Sequence, residues 1–132
     1  MMSKTFLLII ALALVAVVWA HSKRHGGFKT VKMVKFERLI ADRTKYVLLD
    51  VRTPEEFKAG HLPGALMIDW NGENFETVAM EMLPKEKTVA VYCRSGRRSA
   101  SAAGTLVKYG YRVVNLSGGI KAWTAAGKPI EK

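Results

Sequence analysis

The chain has 132 residues, 49% apolar and 24% charged, with a formal net charge of +10, a size and balance that suit one folded domain and exclude a disordered chain. Between His21 and Lys45 eight Lys or Arg face two acids, whereas Tyr46 to Lys132 holds twelve against nine. That distribution offers no broad basic face with an aromatic platform, and no nucleic-acid partner is expected. The single cysteine, Cys93, excludes an internal disulfide, and His21, His25 and His61 lack the spacing of a zinc cluster, so neither a structural metal nor a cofactor is expected.

In chain order, the first element is an apolar run of fifteen residues, Phe6 to Ala20, preceded by Lys4. As a helix it would reach about 22 Å, short of the roughly 30 Å of a bilayer core. Val18 and Ala20 suit the positions before a signal-peptide cleavage site, which would begin the mature chain at His21 and send the domain to the periplasm or outside the cell. Lys23, Arg24, Lys29, Lys32 and Lys35 argue the other way, since cations that follow an apolar run tend to stay cytoplasmic and favour an uncleaved anchor in the inner membrane through residues 6–20. Residues 1–20 are thus read as signal peptide or anchor, 21–30 as a basic linker and 31–132 as the domain. Any membrane contact is expected only through the uncleaved segment.

Beyond a Gly-Gly hinge at 26 and 27, short apolar runs alternate with helical spacing. "YVLLDV" (46–51) reads as a buried strand, and Thr53, Pro54 and two glutamates form a helix N-terminus. "GHLPGA" (60–65) is a turn and "ALMI" (65–68) a strand; residues 74–83 form a helix with Phe75, Val78, Ala79 and Met82 on its apolar side. "TVAVYC" (88–93) is the next strand, followed by a helix from Ser99 to Lys108, a strand at 112–116 and a short helix from Ile120 to Ala126. The fold class is α/β, a mostly parallel sheet with helices on both faces, preceded by the hydrophobic segment. Ligands of such sheets bind beyond the carboxyl ends of the strands, where Cys93 lies.

The stretch "VYCRSGRRSAS" (91–101) surrounds that thiol with Arg94, Arg97 and Arg98. Fixed positive charge and a helix N-terminus near Ser99 favour a thiolate, the nucleophilic form of cysteine. Gly96 lets the backbone curl so that successive N–H groups form an anion nest. The same features would hold an anionic substrate beside the sulfur. A buried structural cysteine would explain the strand end but not three arginines in the next five residues. Cysteine phosphatases place their arginine one position beyond Arg98, where this chain has Ser99. The shorter loop suits a sulfur atom better than a phosphoryl group.

Together "LLDVRTPEEFKAGHLPGA" (48–65), "VYCRSGRRS" (91–99) and "VVNLSGGIKAW" (113–123) resemble a single-domain rhodanese, a thiosulfate or persulfide sulfurtransferase. The resemblance covers about residue 28 to the C-terminus. It implies a catalytic Cys93 that accepts a sulfane sulfur as a persulfide, held by the active-site loop of Arg94, Ser95, Gly96, Arg97 and Arg98. It also implies supporting roles for Asp50, Arg52 and Ser99, a turn at "GHLPGA", and packing of Trp123. The implied partners are a small anionic sulfur donor such as thiosulfate and a thiol, cyanide or protein acceptor. Asp50 at its strand end would orient Arg52 or a loop N–H, or else cap the helix near Pro54. His61 reads as a turn residue, since a thiolate attacks a sulfane sulfur without a general base. A persulfide carrier or protein-binding module with little turnover on thiosulfate would use the same residues.

Overall fold

The computed structural model describes residues 3–5, 8–13 and 27–132. The expected cleavage site, most of the linker and part of the apolar run lie outside them. Among the described residues no helix is long and apolar enough to cross a membrane.

Five strands, β1 (Lys29–Val31), β2 (Tyr46–Asp50), β3 (Leu66–Met67), β4 (Thr88–Tyr92) and β5 (Val113–Leu116), form one sheet in the order β1-β5-β4-β2-β3. Every pair is parallel, as the alternation with helices requires. The helices packed on this sheet are α1 (Met33–Ile40), α2 (Pro54–Ala59), α3 (Phe75–Met82), α4 (Arg97–Lys108) and α5 (Gly119–Ala125); residues 4–5 and 8–13 are helical as well.

Strand periodicity divides the core in two. On one face Leu49, Val89, Val91 and Val113 meet Phe75 and Ala79 of α3 and Ala102, Ala103 and Leu106 of α4. On the other, Leu48, Ala90, Tyr92 and Leu116 meet Phe36 and Ile40 of α1 and Ile120 and Trp123 of α5. Cys93 belongs to the α3/α4 side. Trp123 is buried and its indole N–H donates to the Pro129 carbonyl at 2.8 Å, while Trp70 packs edge-on against Phe75 with ring centroids 4.9 Å apart. Both tryptophans are therefore packing residues.

Two boundaries differ from expectation in ways that matter. Helix α4 begins at Arg97 rather than Ser99, so Arg97 and Arg98 occupy its first turn instead of the loop. Met82, assigned to the apolar side of α3, is exposed, because the helix ends there and the extended Leu83 takes the buried position.

Candidate active site

Strand β4 ends at Tyr92 and delivers Cys93 to the carboxyl edge of the sheet, where the residue is 1% exposed. The chain then turns into α4 within three residues. Gly96 makes that turn with φ +106°, a backbone conformation open to glycine, and serves as the N-cap without a capping side chain. The N–H groups at the helix start therefore remain for the sulfur. The Gly96 N–H donates to Cys93 Sγ at 3.1 Å and the Ser99 hydroxyl at 3.3 Å.

The loop carbonyls are drawn the other way. The N–H groups of Ile120 and Lys121 donate to the carbonyls of Cys93 and Arg94 at 2.9 and 3.0 Å. These donors lie in the first turn of α5, which Gly118 caps and Gly119 begins, both glycines in the left-handed region. A Cβ on Gly119 would overlap the carbonyls of Cys93 and Arg94, so that position holds only glycine without moving the loop. Asn115 Nδ2 reaches the Gly96 carbonyl at 3.5 Å and Thr30 Oγ1 at 3.3 Å. With its carbonyls gripped from behind, the loop turns the N–H groups of Ser95, Gly96 and Ser99 toward the sulfur, an arrangement that suits an anion.

Burial, the largest single influence on the Cys93 thiol, pushes its pKa up. The Ser99 hydroxyl, with the N–H groups of Ser99, Gly96 and Ser95, outweighs it, so the thiol lies below its ordinary range. The anion is thus stabilised chiefly by hydrogen bonds; of the arginines, the helix start and the N–H nest that the sequence offered for this work, the arginines contribute least. Arg94 and Arg97 are exposed. Arg98 turns aside to Glu56, with Nη1–Oε1 at 2.7 Å and Nη2–Oε2 at 2.9 Å. Its guanidinium is raised first by those hydrogen bonds, with Cys93 a smaller influence.

Glu56 escaped the sequence reading as a site residue. It was legible only as one of two glutamates at a helix start, and it does complete a capping box with Thr53. The Arg98 hydrogen bonds, opposed by burial and aided by Thr53, hold its carboxyl at about 2. This joins the first turn of α2 to the first turn of α4 across the site. Gly119 and Asn115 were missed as well, because their task is to hold backbone.

Asp50, the last residue of β2, and Arg52 form a buried pair. Arg52 Nη2 lies 2.7 Å from Asp50 Oδ2, Nε bridges both carboxylate oxygens at 3.0 Å, and the Arg52 N–H donates to Oδ1 at 2.9 Å. Arg52 also donates to the Gly60 carbonyl at 2.6 Å and sits 5.8 Å from the Tyr92 ring centroid. The alternative that Asp50 caps the next helix is corrected: Thr53 is the cap. His61 stacks on Phe57 with centroids 3.8 Å apart and bonds its carbonyl through Nδ1 at 3.0 Å, as suits a turn residue. Among the described residues no cluster of His, Cys, Asp or Glu could hold a metal ion.

The sequence model of the Rhodanese-like domain family matches residues 33–126, which contain Cys93, its loop, Glu56 and the Asp50–Arg52 pair. The chain belongs to the rhodanese-like family. It is 42% identical over 92 residues to a protein of Allochromatium vinosum named Sulfurtransferase, spanning 69% of this chain and 83% of that one. It is 40% identical over 73 residues to the thiosulfate sulfurtransferase PspE of Escherichia coli K12, spanning 55% and 69%. Among solved structures, a rhodanese-related protein from Thermoplasma volcanium superposes with a TM-score of 0.66 at 30% identity, over 79% of this chain and 98% of that one. Sulfur transfer is the activity that this rhodanese-like chain's relatives support.

Proposed function

We propose that this protein moves a sulfane sulfur from thiosulfate, or a related small anionic donor, to a thiophilic acceptor through a persulfide on Cys93. The observation that carries the proposal is the hydrogen-bonded sulfur: a single cysteine at a strand end with the Gly96 N–H and the Ser99 hydroxyl on Sγ. In the first step the Cys93 thiolate attacks the outer sulfur of thiosulfate. The new S–S bond forms as the bond to the sulfonate sulfur breaks, and its electron pair leaves with sulfite. In the second step an acceptor thiolate or cyanide attacks the outer persulfide sulfur and Cys93 departs as thiolate. Charge balances in each step, and no proton transfer is required.

The loop serves both halves. N–H groups that favour the thiolate also favour the persulfide anion that replaces it. The exposed Arg94 and Arg97 attract the dianionic donor and offset charge on the departing sulfite. Arg98, neutralised by Glu56, fixes the helix start instead of contacting the donor.

The test is thiosulfate-to-cyanide transfer by the protein beside its Cys93→Ser variant. Turnover that disappears in the variant is expected. Equal turnover in both would overturn the assignment, and uptake of one sulfur on Cys93 without turnover would make the protein a persulfide carrier.

A further inference from the structure

Four of the five strands carry a cation at or just before their amino ends, the edge of the sheet opposite Cys93. Lys29 opens β1, Arg112 precedes β5, Lys87 precedes β4 and Lys45 precedes β2. These strands are neighbours in that order, so the four cations cross about 14 Å at the spacing of paired strands. Lys85 and Lys108 extend the row where α3 and α4 end. The acids at this edge are Asp42, Glu86 and, in the last turn of α3, Glu81. All six cations except the half-buried Lys87 are exposed, and the ion pairs among the described residues are elsewhere. Several are braced on backbone: Lys87 donates to the Arg43 carbonyl and Arg112 to the Glu86 carbonyl. A depression of about 270 Å³ lined by Phe28, Tyr46, Tyr111 and Arg112 opens between them. Counting charge along the chain hides this surface, because the fold assembles it from four separate turns.

In sequence six residues separate the apolar run Phe6–Ala20 from Gly27, which lines the depression. Six residues span at most about 20 Å. We propose that this amino-edge face docks on anionic lipid headgroups, with the apolar run, in its uncleaved form, as its tether. Polybasic surfaces beside an apolar segment have the charge and position for this contact. The occupant is a lipid surface rather than a nucleic acid because an uncleaved apolar run, six residues from Gly27, would hold the edge beside one, and among the described residues the surface lacks an exposed aromatic platform. Cys93 follows β4 at its other end, about 17 Å away at strand rise, so the docked domain would open its active site to the aqueous side. This surface is independent of the sulfur-transfer reading.

The segment 27–132 contains both hydrophobic clusters whole, and the solved Thermoplasma volcanium relative is a chain of comparable extent, so this domain is expected to fold alone. Its co-sedimentation with vesicles of phosphatidylcholine, with and without 30% phosphatidylglycerol (a composition chosen at roughly the scale of anionic membranes), removes the tether from the measurement. At least tenfold more binding to the anionic vesicles is expected, lost in high salt and in a Lys29→Glu, Lys45→Glu, Lys85→Glu, Arg112→Glu variant whose circular dichroism is unchanged. An Arg94→Glu, Arg97→Glu variant at the opposite end should keep that binding. No preference for anionic vesicles overturns the proposal, as does a preference that only the Arg94/Arg97 variant removes. Retention of a single-stranded oligonucleotide with no vesicle binding would overturn it in favour of a nucleic-acid surface.

Discussion

Replacing Glu56 by Gln tests whether the Arg98 ion pair braces the helix that carries the sulfur's N–H donors. Glutamine at the third helical position still completes a capping box with Thr53, so the substitution removes the charge while leaving the cap in place. A carboxyl held at about 2 rather than 4.5 corresponds to about 3 kcal/mol at most. Solvent reaches the pair, with side chains 26% and 29% exposed for Arg98 and Glu56, so screening reduces this to about 1.5 kcal/mol. The folded-state pKa is depressed, so the stabilisation is fully present above the unfolded value of 4.5 and is lost as pH falls toward about 2. Urea denaturation of both proteins should show that difference at pH 7 and less than half of it at pH 3. A difference below about 0.3 kcal/mol at pH 7, or one independent of pH, would refute the reasoning.

Other substitutions probe the remaining supports. Asp50→Asn leaves Arg52 buried without its carboxylate and should cost about 3–5 kcal/mol in chemical denaturation. Ser99→Ala removes a donor to the sulfur and raises the Cys93 pKa, so the acid limb of the pH–rate profile should move to higher pH. Alkylation of the thiol by iodoacetamide below that limb should slow roughly fivefold, the equivalent of about 1 kcal/mol. Gly119→Ala places a Cβ against the loop carbonyls at φ +57° and should destabilise by at least about 2 kcal/mol while slowing sulfur transfer, both measurable on one preparation.

The architecture was legible because it rests on patterns a chain displays openly. Buried parallel strands read as apolar runs, and "YVLLDV" and "TVAVYC" became β2 and β4, with Cys93 just beyond the sheet edge. The thiol's neighbourhood was legible in kind but not in mechanism. Gly96 announced a nest of N–H groups, whereas the Ser99 hydroxyl's place on the sulfur and the partner of each arginine are revealed only when the chain turns. Arg98 therefore looked like a donor contact, although Glu56, forty-two positions earlier, holds it. Gly119 and Asn115 act by gripping carbonyls of a loop that is distant in sequence, and no local pattern announces such a task. The cationic edge was hidden for the same reason.

The most direct test is intact-mass analysis of the protein after brief exposure to thiosulfate, with peptide mapping to locate any added sulfur, alongside the Cys93→Ser variant. The account predicts a gain of one sulfur atom on Cys93, its removal by cyanide as thiocyanate, and no gain in the variant. An unchanged mass under turnover conditions, or sulfur retained by the variant, would contradict a persulfide on Cys93.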